Sequence, residues 1–320
     1  MSLQIKNFTV YYQTLRGDVR ALENAFFNLA DGEIMGLAGE SGCGKSTLCN
    51  SLVHLAPPMK LVSGEVILDN EPMPLSENGK MNDYRFKKIS IIPQYAMNAM
   101  NPTRKIGKMI EEMLRAKKVD YKTILPKLKS RLEVVKLPVD VLNMYPIELS
   151  GGMKQRMVMV ISTLLDPSLL LADEITSALD VASQKGVSEM LVKFRDEGFV
   201  KSVLFITHDI SILYQIADSM LILYAGQLAE KASTETIIHA PLHPYTRLLI
   251  SALPKMGIKY TEERLTGIPG NPPLLLNPPT GCRFRERCPL AFDKCGEVPP
   301  FVEIEKGHFI ACWKEAQGHD

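Results

Sequence analysis

The chain has 320 residues, 46% of them hydrophobic, enough for one large domain or two with cores of their own. Its 37 Lys and Arg residues balance 36 Asp and Glu residues, which argues against a nucleic-acid binder working by charge. Residues 1–6 lack the basic and apolar regions of a signal peptide, and Asp166 and Asp173 break the apolar runs too early to span a bilayer, so the chain is expected in the cytosol, with any membrane anchor on another chain.

Residues 3–12 alternate, with Phe8, Val10 and Tyr12 on one side, and predict a strand. An aromatic at the end of such a strand is placed to stack on an adenine ring. Register selects Tyr12 and a slip of one residue selects Tyr11, while an edge-strand tyrosine with no ligand is the plainer alternative. A turn at Arg16-Gly17-Asp18 and renewed alternation over 19–29 complete an antiparallel β layer.

An apolar run at 33–38 then enters Gly39-Glu40-Ser41-Gly42-Cys43-Gly44-Lys45-Ser46-Thr47, which fits G-x-x-x-x-G-K-[ST]. A helical pattern follows, with Leu48, Leu52 and Val53 on one face. Strand, loop and helix in this order form a phosphate cradle. Gly39, Gly42 and Gly44 allow positive φ, so the N–H groups of the loop, Ser41, Cys43 and Thr47 included, can turn inward around an anion. Lys45 is expected to neutralise the β- and γ-phosphates, and the Ser46 hydroxyl to ligate Mg²⁺.

Strands are predicted at 64–69 and 89–93, separated by a polar, Pro-containing loop over 71–83, and Gln94 stands at the second strand's end. From about 98 to 145 the period becomes helical. Ile106, Met109, Ile110, Met113 and Leu114 form one stripe, and Ile124, Leu128, Leu132 and Val135 another, with the methionines read as packing residues rather than a metal site. Ser150-Gly151-Gly152 then opens an apolar helix, a second turn equipped to hold a phosphate. The buried strand 169–172 ends in two acids. Asp173 suits the organisation of Mg²⁺ and Glu174 the acceptance of a proton from attacking water. Ser177 to Asp180 continue it, and a strand at 202–206 places His208 within reach of a γ-phosphate, although a lone strand-end histidine is more often structural.

In order and spacing these motifs resemble the ATP-binding subunits of ABC transporters across residues 3 to about 235. The resemblance makes Gly39 to Thr47 the phosphate loop and centres the glutamine loop on Gln94, a further Mg²⁺ ligand. Leu149 to Arg156 becomes the signature, Asp173-Glu174 the Walker B end, Ser177 to Asp180 the D-loop and His208 the switch histidine. It implies an α/β phosphate-loop ATPase with an antiparallel β subdomain and a helical subdomain at about 98–155. It also implies a head-to-tail dimer, homomeric or with a paralogue, in which Ser150, Gly151, Gly152 and Asp180 of one subunit meet ATP on the other. Transmembrane permease subunits become the expected partners, with an extracytoplasmic solute-binding protein acting indirectly, at the cytoplasmic face of the membrane. Ile175 replaces the family's usual proline after Asp-Glu, which loosens the backbone without removing an acid. Residues 95–100 also depart from the family's common run, so altered permease contacts are expected. A soluble ABC ATPase of repair or translation is the alternative, disfavoured by a single cassette without sustained heptads.

Residues 236–320 resemble the extension of oligopeptide/dipeptide-type importers, with a helix from about 241, a Pro-rich connector at 268–279 and four cysteines at 282–312. Peptides are the default solute, with oligosaccharides and nickel as alternatives. Cys282, Cys288, Cys295 and Cys312 are spaced C-x5-C-x6-C-x16-C, wider than a zinc knuckle. The resemblance points to a four-iron four-sulfur cluster on all four thiolates, with zinc and free thiols as the other possibilities. Its role is read as structural, ahead of a redox or iron sensor. Cys43 and Cys49 stand apart as small packing residues.

Overall fold

The computed structural model describes residues 2–94, 100–177, 179–253 and 267–316. The chain begins with β1 (Leu3–Thr14), β2 (Gly17–Leu29) and β3 (Ile34–Ala38), followed by α1 (Lys45–Val53), β4 (Met59–Leu68) and β5 (Glu71–Pro72). Next come α2 (Asn78–Tyr84), β6 (Ile89–Ile92), α3 (Ile106–Ala116), α4 (Tyr121–Val134) and α5 (Gly151–Thr163). Then follow β7 (Leu169–Asp173), α6 (Val181–Asp196), β8 (Ser202–Ile206), α7 (Ile210–Ile216), β9 (Ser219–Tyr224) and β10 (Gln227–Ser233). The C-terminal part adds α8 (Thr234–His239), α9 (Pro244–Ser251), β11 (Val302–Glu305), β12 (His308–Ile310) and α10 (Trp313–Ala316).

A four-stranded antiparallel sheet has the order β2-β1-β4-β5, as the alternation over residues 3–29 predicts. The eight-stranded sheet runs β11-β12-β10-β9-β3-β8-β7-β6, parallel from β6 through β9 and antiparallel beyond. Strands β3, β7 and β8 are buried along their whole length, as parallel strands covered on both faces must be. Their alternate residues serve two cores. Ile34, Leu170, Ala172, Val203 and Phe205 face the helices. Met35, Leu37, Leu169, Leu171, Leu204 and Ile206 face α1 and the antiparallel layer.

The helical stripes of the segment before the signature also hold. Ile106, Ile110, Leu114, Leu128, Leu132 and Val135 are buried, with Met109 and Met113 packed against them. The segment 71–83 differs from the loop expected there, because it contains β5 and α2. Met73, Leu75 and Met81 anchor it, three apolar residues too sparse to show a period. Among the described residues no helix is long and apolar enough to cross a membrane.

Candidate nucleotide site

In the parallel part of the sheet, β6, β7, β8 and β3 all end on the same edge, and each carboxyl end delivers one element of the predicted site. Gln94 follows β6, Asp173 and Glu174 close β7, His208 follows β8, and the loop 39–44 leaves β3. Ligands of open α/β sheets bind at such an edge.

At Gly39 and Gly44 the loop is pressed against backbone that leaves no room for a side chain. Gly39 has φ +149° and a Cβ there would lie 2.1 Å from the Leu223 carbonyl oxygen. Gly44 has φ +110° and its Cβ would lie 2.3 Å from the Ala21 carbonyl oxygen. From behind, the Gly226 N–H donates to the Cys43 carbonyl at 2.8 Å. Lys45 Nζ folds over the loop and donates to the carbonyls of Gly39 (2.7 Å) and Glu40 (2.9 Å), with Cys43 Sγ at 3.6 Å. The ammonium is thus parked on weak neutral acceptors, which phosphate oxygens at the helix N-terminus would outcompete. Ser41 and Gly42 stay exposed at the loop's tip, and Cys43 and Cys49 are buried in the core beneath.

Ser46 Oγ donates to Asp173 Oδ1 at 3.3 Å, which brings together two of the three predicted Mg²⁺ ligands. Burial raises the Asp173 carboxyl above its usual range, a bias that a bound dication would reverse. Gln94, the third, lies elsewhere: its Nε2 donates to Glu174 Oε2 at 2.7 Å. Glu174 has φ +48°, and its N–H donates to the Ile206 carbonyl at 2.9 Å. Tyr12 Oη meets Thr47 Oγ1 at 3.2 Å, at the start of α1. Tyr11 is committed elsewhere, donating to Glu23, and burial together with that carboxylate pushes its hydroxyl up to about 12. Of the two tyrosines, Tyr12 is the one whose hydroxyl reaches the start of α1. His208 is exposed beyond β8, where Asp209 caps α7.

Ser150 caps α5 by accepting the Met153 N–H at 3.3 Å. Ser150, Gly151 and Gly152 are exposed, and no hydrogen bond among the described residues joins them to the phosphate loop. Asp180 caps α6 through Ser183. Residues 95–99, where altered permease contacts are expected, and Ala178 within the D-loop lie outside the described residues.

Residues 22–177 match the ABC transporter family, and residues 229–295 match the oligopeptide/dipeptide transporter C-terminal region. The chain is 36% identical to the dipeptide transport ATP-binding protein DppD of Bacillus subtilis, covering 98% of this chain and 95% of that one. It is 36% identical to the oligopeptide transport ATP-binding protein OppD of Haemophilus influenzae, covering 98% of each. The chain belongs to the ABC transporter ATP-binding family. A solved dimeric ATP-binding cassette in a post-hydrolysis state, bound to ADP and Pi, shares 26% identity at a TM-score of 0.61 and covers 72% of this chain and 98% of its own. The chain is thus an ABC ATPase, and the edge just described is its candidate ATP site.

Sequence reasoning missed how closely this cassette is tied to its C-terminal region. Arg283 donates to the carbonyls of Ala225 and Arg20 and to Glu23, gripping the turn behind the phosphate loop. Arg287 donates through both terminal nitrogens to Glu40, at 2.7 and 2.9 Å. The four-residue spacing of these arginines was visible, but no local pattern pairs a residue with one 247 positions away. Gln155 of the signature helix, also missed, donates to the Ile175 carbonyl and links the signature to the Walker B end.

Cys282, Cys288, Cys295 and Cys312 are free thiols lining one small pocket, with His243 and Phe284 on its wall. Burial pushes the Cys282 thiol up to about 11 and raises Cys288 and Cys312 as well. Among the described residues no three His, Cys, Asp or Glu side chains stand close enough to hold a metal ion.

Proposed function

We propose that this chain is the ATP-hydrolysing subunit of a membrane importer of peptides. The observation that carries the reading is the delivery of phosphate loop, Asp173-Glu174, Gln94 and His208 to one sheet edge, in a chain matching peptide-transport ATP-binding proteins over nearly its full length.

In this reading Lys45 leaves its loop carbonyls for the β- and γ-phosphates, the loop amides beyond Glu40 cradle them, and Tyr12 lies under the adenine. Bound Mg²⁺ would offset charge on the β- and γ-oxygens, held by Ser46 and Asp173, with Gln94 joining them once it releases Glu174. Glu174 accepts a proton from water as the water oxygen bonds to the γ-phosphorus. The bond to the bridging oxygen breaks, leaving ADP and phosphate, while His208 donates to the γ-phosphoryl oxygens. Ser150, Gly151, Gly152 and Asp180 complete the site of a second subunit, identical or a paralogue. Their exposure supports this, as does the dimeric state of the solved cassette.

Peptide transport is what the relatives' names state. The partners in this reading are permease subunits, met at the cytoplasmic face of the membrane, with an extracytoplasmic solute-binding protein acting indirectly. The domain boundary near 235 belongs to the same reading. Four free thiols around one pocket have the donor chemistry of the expected four-iron four-sulfur cluster, but no three of them stand close enough to hold a metal ion, so the residues as placed do not fit that group.

Glu174→Gln tests the mechanism. It should bind ATP as the wild type does, lose turnover by at least about a hundredfold and accumulate as a dimer on a sizing column. Wild-type turnover by this variant refutes the assignment.

A further inference from the structure

We propose that Arg287 is a positioning residue for ATP: acting through Glu40, it fixes the lip of the phosphate loop and cancels the one carboxylate that the loop carries. The proposal rests on the reading of residues 39–47 as the ATP cradle and goes beyond it, because Arg287 lies outside the cassette motifs.

Glu40 is the second residue of the loop, and each of its polar groups is held. Its carboxylate receives the Arg287 fork at 2.7 and 2.9 Å, and its N–H donates to Tyr245 Oη at 2.9 Å. Its carbonyl accepts from Lys45 Nζ at 2.9 Å. Glu40 therefore joins two residues of the C-terminal region, Arg287 and Tyr245, to the lysine that meets the phosphates.

The guanidinium is itself immobilised. Its Nε donates to the Pro269 carbonyl at 2.7 Å, and its terminal nitrogens also reach Tyr224 Oη (3.1 Å) and the Ile268 carbonyl (3.3 Å). The rings of Tyr224 and Phe284 lie 5.7 and 5.9 Å away, and the Arg287 side chain is 5% exposed. A planar fork held by this many acceptors transmits position. It also transmits charge, because an uncompensated carboxylate in the loop would repel an incoming polyanion, at a range where partial burial limits screening.

The test compares ATP affinity and steady-state hydrolysis in full-length wild type, Arg287→Met, Arg287→Lys and the Glu40→Gln/Arg287→Met double variant, with thermal melting without nucleotide as the fold check. Arg287→Met should raise the Kd and KM for ATP about tenfold and leave kcat within about twofold, the loss of one charge-assisted pair. Arg287→Lys keeps the charge without the fork and should fall between, while adding Glu40→Gln to Arg287→Met should recover most of the lost affinity. An unchanged KM with reduced kcat in Arg287→Met, or no recovery in the double variant, overturns the proposal. If Arg287→Met does not fold, Arg287→Lys decides, and a wild-type KM there overturns it. A wild type that fails to bind ATP, or a Lys45→Ala variant that binds it equally well, would instead overturn the reading of the cradle.

Discussion

Glu174 occupies left-handed backbone space at φ +48°, where a non-glycine residue costs on the order of 1 kcal/mol. The bond from its N–H to Ile206 and the turn closed by Ser177 onto its carbonyl hold it there. The strained backbone turns the chain off β7 and leaves the carboxylate facing Gln94. Removing that amide should act differently from removing the acid: Gln94→Ala frees Glu174 while taking away a proposed Mg²⁺ ligand. Its turnover should fall about tenfold or more, and the Mg²⁺ concentration for half-maximal activity should rise, as a Mg²⁺ titration of ATPase activity would show. A second residue-scale prediction concerns acid. His243 is buried and its Nδ1 accepts the Tyr245 N–H, and burial depresses its imidazole to about 4. Below the ordinary histidine value of about 6.5 the unfolded chain takes up a proton that the folded chain refuses, so stability falls as pH drops from about 6.5 to 4. Glu230 adds to the loss at lower pH. Burial pushes its carboxyl up, but His308 Nε2 and the amides of Leu242 and His243 together overcome burial and hold it below the usual range. Its stabilisation is present above the ordinary carboxylate value and disappears as pH falls through the lower folded one. Melting temperature followed from pH 7 to 4 should therefore drop, and drop less for His243→Asn. At this scale the cassette residues were legible because each motif is contiguous in sequence and its chemistry is local. The Arg287–Glu40 and Gln155–Ile175 contacts were not, because they depend on which strands become neighbours.

At the scale of elements, strong periodicity was a dependable guide. The buried strands 169–173 and 202–206 read as continuous apolar runs, and they lie side by side in parallel with their alternate residues feeding both cores. Leu204→Ala should cost about 2–5 kcal/mol in urea unfolding, since Leu204 is fully buried on β8, between β3 and β7 in the sheet. Helix α4 carries a feature that no apolar period reveals, the fully buried Arg131. It pairs with Asp166, donates to the Thr163 carbonyl and lies 4.2 Å over the Phe199 ring, tying α4 to the end of α5. Arg131→Ala should destabilise by about 3–5 kcal/mol, checked by the same unfolding measurement. Short elements were the ones lost to sequence reading. β5, β11 and β12 have two to four residues each, and only their pairing partners make them strands.

For the whole molecule, each ATP site proposed here is shared between two subunits. ATPase rate should therefore rise with more than the first power of protein concentration while subunits are mostly monomeric, and ATP binding measured on the monomer should persist. A strictly linear rate over a hundredfold dilution range, with sizing data showing monomer throughout, would count against the shared site.

The central sheet is finished by a strand made late. β12 reaches back to pair with β10, about eighty residues earlier, and brings His308 to the buried Glu230. During synthesis β10 must wait as an open edge, its carboxylate lacking one partner, until residues 308–310 have left the ribosome. A nascent chain released before that point carries a complete phosphate loop but an unsealed sheet.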